Sequence, residues 1–269
     1  MDRPTRVAPL ADGFGPEWAE AWGVDGRGVY AEFTVSGETQ RMRYVAPGRF
    51  RMGSGADEAE RSEKERPHEV VLTRGYWVAD TACTQGLWEA VLGTNPSRFV
   101  GRRRPVENVS WEDCQEFLGR INALRPGLDL RLLTEAEWEC ACRAGTHTPF
   151  SFGPTITTDQ VNYDGHHPYA GGQRDRDRGE TVDVASLPPN AWGLYEMHGN
   201  VMEWCNDWYG EYPLHTVTDP RGPDDGYSRV LRGGSWIDDA RCARSACRNY
   251  VSPKARYGHF GVRIARGHE

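Results

Sequence analysis

Arg232-Gly233-Gly234-Ser235-Trp236 is the stretch on which the reading of this chain turns. Arg229-Val230-Leu231-Arg232 reads as a strand running into it, and the paired glycines break that strand. Upstream, Trp192-Gly193-Leu194-Tyr195 and Val201-Met202-Glu203-Trp204 flank the turn signal His198-Gly199-Asn200. Downstream, Phe260-Gly261-Val262-Arg263-Ile264 reads as a closing strand.

Farther out, period-two alternation marks strands at residues 29–35 and 42–45, and Gly48 turns the chain into Phe50-Arg51-Met52-Gly53. Val70-Val71-Leu72 and Tyr76-Trp77-Val78 read as a hairpin around Thr73-Arg74-Gly75. Three helices carry start or stop signals. Thr84 to Leu92 ends at Gly93. Ser110 opens a second, with Asp113 three residues on and an apolar stripe of Cys114, Phe117, Leu118, Ile121 and Leu124. Thr134-Glu135-Ala136-Glu137 is a capping box opening a third, which stops at Gly145. From there on, turns and short strands predominate.

The 269 residues include 31 glycines, 17 prolines and 10 tryptophans, so large rings must anchor a turn-rich fold. No internal repeat or linker divides the chain. The organisation expected is one domain over 40–266, with 1–39 as an N-terminal extension packed on it. A net charge of -7 argues against nucleic-acid binding, and Arg102-Arg103-Arg104 reads as a solvated loop. Met1-Asp2-Arg3-Pro4 lacks a signal-peptide pattern and no apolar run reaches membrane-spanning length, so a cytoplasmic, membrane-free protein is expected. Of the seven cysteines, Cys83, Cys114, Cys140, Cys142 and Cys205 read as small buried hydrophobes. His166, His167, His198 and His259 read as surface or turn histidines.

Taken in order, these segments, with Pro105-Val106-Glu107-Asn108-Val109-Ser110-Trp111 and Leu132-Leu133-Thr134-Glu135-Ala136-Glu137-Trp138, resemble the formylglycine-generating-enzyme (sulfatase-modifying-factor) family. The resemblance implies an α+β fold of the C-type-lectin-like kind with little regular secondary structure. It also implies structural calcium, which takes oxygen ligands. One set carried over is Glu196, the Gly199 and Val201 carbonyls, and Glu203. A second is Asn162 and the Tyr163 carbonyl, with Asp175 and Asp177 nearby.

The enzymes of that family oxidise a protein cysteine to formylglycine with copper(I) held by two thiolates, a soft-ligand site. Cys242 and Cys247 have the family's internal spacing but not its register: the first cysteine should stand three residues after Ser235, where this chain has Asp238. A copper-dependent oxidoreductase using Cys242 and Cys247 is therefore the alternative reading. The preferred one is a non-catalytic protein that binds a protein or small ligand through its C-terminal surface, residues 237–260.

Within that surface Ile237, Asp238, Asp239, Cys242, Cys247, Tyr250, Val251, Ser252, Tyr257, Gly258, His259 and Phe260 follow no periodicity. All can be encoded by codons reached from an asparagine codon by changing adenines. Diversity-generating retroelements leave that imprint on variable proteins with lectin-like domains. With Trp236 beside them, these residues form the expected ligand-binding set.

Overall fold

The computed structural model describes residues 15–267. Three sheets meet around α3. The largest has six strands in the order β1 (Ala21–Asp25), β2 (Gly28–Val35), β3 (Glu38–Val45), β6 (Tyr76–Ala79), β13 (Ile264–Gly267) and β7 (Leu130–Leu132). A four-stranded sheet runs β11 (Arg248–Val251), β10 (Arg229–Arg232), β8 (Met202–Trp208) and β12 (Phe260–Gly261). The third contains β4 (Gly48–Met52), β5 (His68–Leu72) and β9 (Val217–Thr218). Few helices among many short strands gives the expected α+β class. Among the described residues no helix is long and apolar enough to cross a membrane.

The helices start where their caps predict. α1 (Gln85–Leu92) has Thr84 accepting from the Leu87 amide and ends on Gly93 in the left-handed region. α2 (Trp111–Leu124) and α3 (Glu135–Arg143) both carry complete capping boxes, from Ser110 to Asp113 and from Thr134 to Glu137. Burial of one apolar stripe then fixes each helix against a sheet. The main core packs Phe33 and Trp77 of the large sheet with Trp88 of α1 and Phe117 of α2, whose rings stack at 4.8 Å. A second core joins Val45, Met52, Val78 and Cys205 around Trp138 of α3.

The alternation at 29–35 puts Ala31, Phe33 and Val35 inward on β2, and residues 21–35 pair into the large sheet through β3.

Two sequence expectations are corrected. Residues 70–72 and 76–78 do not form a hairpin: β5 pairs with β4 and β9, whereas β6 pairs with β3 and β13. The Thr73-Arg74-Gly75 link carries the chain between sheets, a step that alternation alone cannot distinguish from a turn. The closing strand is likewise split. Phe260 and Gly261 pair parallel with β8, then Val262 and Arg263 cross to the large sheet, where β13 pairs antiparallel with β6 and β7.

Candidate functional site

The double glycine is a steric requirement. Gly233 and Gly234 have φ of 100° and 67°, and a Cβ on Gly234 would lie 2.9 Å from the Ala243 nitrogen. The chain therefore folds tightly under the following segment and presents it outward. Arg232, at 0% side-chain exposure, anchors this corner by donating to the Glu139 carboxylate and to the Cys247 carbonyl. Glu139 in turn binds Arg143 and the Gly53 amide, which joins α3 to the third sheet. Trp236 is buried, its indole nitrogen donating to the Gly258 carbonyl at 2.9 Å and its ring meeting Phe99 edge-on. That bond ties the two ends of the 237–260 segment together.

The segment itself divides by burial. Ala240, Ala243, Arg244, Ser245 and Ala246 are buried. Arg244 is held by the carboxylates of Glu58 and Glu65 at 2.7–2.8 Å, and the Ser245 amide donates to the Pro149 carbonyl. Ile237, Tyr250, Ser252 and Tyr257 are exposed, and Asp238, Asp239, Cys242, Cys247, Val251, Gly258 and His259 are half-buried. Two members of the expected binding set, Trp236 and Phe260, face inward. Phe260 packs against Trp204 with ring centroids 5.5 Å apart. Large aromatic rings in a turn-rich segment serve as anchors before they serve as contacts.

Three residues after Ser235, the Asp238 carboxylate accepts from the Ser235 hydroxyl, and its backbone carbonyl accepts from the Asp164 amide. Burial raises this carboxyl, with the serine hydroxyl opposing the shift. Register along the chain separates the two thiols from the position the family uses, yet folding brings them together. Cys242, in a 3-10 turn at Ala240–Ala243, and Cys247, just before β11, are brought close enough for their thiols to interact. That interaction holds the Cys242 thiol below its ordinary range and pushes Cys247 well above its own. Tyr250 stacks on Tyr209 at 3.9 Å, and its hydroxyl accepts from Lys64.

The first expected calcium set does not fit the ion in this arrangement. Both Glu203 oxygens accept from Arg263 at 2.8–3.0 Å, and one also accepts from the Trp138 indole at 2.7 Å. A guanidinium already neutralises that carboxylate. Glu196 accepts from the Ala185 and Leu187 amides, and burial pushes its carboxyl up to about 7. Gly199 pairs with Asn162 across an isolated parallel bridge, and Val201 is buried beside them.

The second set is closer to what a cation requires. Asn162 Oδ1 is buried and lacks a hydrogen-bond partner among the described residues, and Tyr163 is buried next to it. Asp175 is engaged by Thr158 and the Arg176 amide. Asp177 lies instead with Asp164 and His166, with one ligand atom of each within 4.8 Å of the others.

Sequence reasoning missed the buried arginines Arg232, Arg244 and Arg263. For Arg232 a signal was available in the acidic residues of α3: Glu135 and Glu139 are four apart on the face that also carries Ala136 and Trp138. Acids on an inward face need cations. His198, expected at the surface or in a turn, lies in a bend but not at the surface. It is buried, with Nδ1 against the Ala243 carbonyl and Nε2 accepting from the Ser151 amide. Burial pulls it down to about 4, so it is a neutral bridge.

Short strands in three sheets around a capped helix, with a rigid corner presenting a loop-built surface, define a C-type-lectin-like scaffold. The chain belongs to the sulfatase-modifying factor enzyme 1-like domain family, which it matches over residues 28–268. It is 34% identical to a formylglycine-generating enzyme of Streptomyces coelicolor over 216 residues, 74% of this chain and 66% of that protein. It is 36% identical over 174 residues to a Chlamydia caviae protein named serine/threonine-protein kinase pkn1, covering 61% of this chain and 24% of the kinase. The chain thus spans only a quarter of the kinase and about two thirds of the enzyme. Among solved structures it is similar to Treponema denticola variable protein 1, with a TM-score of 0.78 and 28% identity, covering 88% of this chain and 98% of that one. PvdO of Pseudomonas aeruginosa follows, with a TM-score of 0.74 and 27% identity over the same shares of each chain.

Proposed function

We propose that this protein is a non-catalytic binding domain whose ligand contacts the surface formed by residues 237–260. The division of that segment into a buried frame and an exposed set carries the reading. Ile237, Tyr250 and Tyr257 leave large apolar area at the surface, while Arg244, Trp236 and Phe260 hold the backbone beneath from within. Such a surface changes its side chains without changing its support. The likeness to a protein named variable supports adenine-directed diversification of the exposed positions. The test is to replace Ile237, Tyr250, Ser252 and Tyr257 together. The expected product folds with an unchanged far-ultraviolet spectrum and keeps a cooperative urea transition, lowered at most by the lost stacking of Tyr250 on Tyr209. A collapse of either would show the positions to be structural and overturn the reading. Calcium belongs to this reading at Asn162 and Tyr163, supported by the orphaned Asn162 oxygen. A calcium-dependent rise in thermal midpoint that Asn162→Ala removes would test it.

A second reading is favoured by one observation, the contact between the Cys242 and Cys247 thiols. Two adjacent thiols offer the soft donors that copper(I) takes, and the ion would supply dioxygen activation for cysteine oxidation. Titration of the reduced protein with copper(I) against a chromogenic chelator separates the readings. Stoichiometric binding lost in Cys242→Ala, together with oxygen uptake on a cysteine peptide, would replace the first reading by the second.

A further inference from the structure

Away from the 237–260 surface, a cavity of about 350 Å³ opens where the two cores adjoin. Val29 and Tyr44, which pack on the first core, form one wall. Phe50, Cys140 and Trp192, which pack on the second, form the other. All five are half-buried, so an apolar surface built from both cores faces the opening. The size and lining suit a small organic molecule, for which sites run from about 300 Å³ upward.

The rim has one sign of charge. Arg27, Arg49 and Arg51 line the cavity and are exposed, and among the described residues no aspartate or glutamate lines it. Arg27 spends one nitrogen on the Asn190 carbonyl, which fixes its direction without neutralising it. Arg49 meets Glu69 at 3.2 Å, a pair exposed on both sides and so weakly held. Among the described residues no ion pair engages Arg51. The fourth arginine of the lining, Arg143, is buried and matched by Glu139, so it belongs to the wall. On a chain of net charge -7, an acid-free ring of arginines around an apolar floor is a local reversal of sign.

We infer that this cavity binds a small amphiphilic anion, an aryl or medium-chain acyl carboxylate, with its apolar body between Phe50, Tyr44 and Trp192 and its carboxylate toward Arg27, Arg49 and Arg51. The apolar walls supply the area-dependent part of binding, and guanidinium groups match a carboxylate with paired donors. Aromatic walls leave the identity of the apolar body open, whereas the rim fixes the sign of the head group. The site shares no residue with the 237–260 surface, so it can be occupied whatever that surface binds.

The test uses the full chain and 8-anilinonaphthalene-1-sulfonate, an aromatic anion whose fluorescence rises in apolar surroundings. Saturable binding is expected, with displacement by decanoate at least about tenfold more effective than by decan-1-ol, since the two share a chain and differ in charge. Arg27→Glu with Arg51→Glu should weaken the probe by about tenfold or more, because two attractions become repulsions. Arg103→Glu, which reverses one such charge in the loop outside the cavity, should leave it unchanged. Urea midpoints equal to wild type certify that each variant is folded. Equal displacement by the alcohol, or an equal loss in Arg103→Glu, overturns the proposal.

Discussion

Replacing Glu203 by glutamine probes the joint on which the three sheets depend. Arg263 has 0% side-chain exposure and Glu203 1%, and they sit where the chain crosses from β12 to β13. The guanidinium donates to both Glu203 oxygens, to the Ala79 carbonyl at 2.9 Å and to the Tyr195 carbonyl at 2.7 Å. Glutamine keeps the shape and one acceptor. It removes the counter-charge, and its amide must face either the guanidinium or the Trp138 indole, both of which are donors. Removing one partner of a buried pair leaves an uncompensated charge and costs about 3–5 kcal/mol. The loss should appear as a lower urea midpoint with an unchanged slope. Arg263→Met together with Glu203→Gln should fall short of the summed single losses by about 1 kcal/mol or more, since the two residues share one network. The titration is run with calcium and with a chelator. A loss below about 1 kcal/mol, or one seen only with calcium present, would refute the assignment of Glu203 to Arg263.

Three further outcomes follow from other parts of the molecule. Gly234→Ala should destabilise by roughly 2 kcal/mol or more, because φ is positive and the added Cβ meets the Ala243 backbone at 2.9–3.0 Å; a urea titration checks it. Burial pushes Asp207 up to about 8 from 3.8, so the folded state holds a proton that the unfolded state has released. The stabilisation is therefore full below pH 4 and is lost as pH rises toward 8, and Asp207→Asn should flatten the stability profile by up to about 1.4 kcal/mol per pH unit across that window. Cys242 should be alkylated first among the seven thiols under native conditions, whereas Cys142, which burial pushes up to about 12, should react only on unfolding; mass spectrometry of the modified peptides reads both.

Local signals were legible where chemistry is local. Ser110 with Asp113, and Thr134 with Glu137, specify two helix starts because a capping box is satisfied within four residues. The double glycine was legible as a break, and the structure adds the cause, the close approach of Gly234 to Ala243. What sequence could not show was which sheet a strand enters. β5 and β6 are separated by three residues, yet they pair with different partners. A strand of alternating residues carries its face but not its neighbour. The candidate surface was legible as a segment, not as a set of directions. Trp236 and Phe260 belong to its underside because their rings are the largest apolar bodies available to close the corner. The proximity of Cys242 and Cys247 also required the fold, since a 3-10 turn and the entry to β11 bring them together.

The buried arginines explain how so loosely patterned a chain supports a changeable face. A fold of short strands has few ladder hydrogen bonds to fix one sheet against another. Here three guanidinium groups do so: Arg263 joins β8 to β6, Arg232 joins β10 to α3, and Arg244 joins the 237–260 segment to the loop carrying Glu58 and Glu65. Each bond is directional, so a misplaced sheet leaves a charge buried without a partner, a penalty larger than most losses of apolar contact. Specificity of the fold therefore rests on residues that face inward. The exposed side chains of 237–260 are free to answer to a ligand because the geometry beneath them is fixed from the other side.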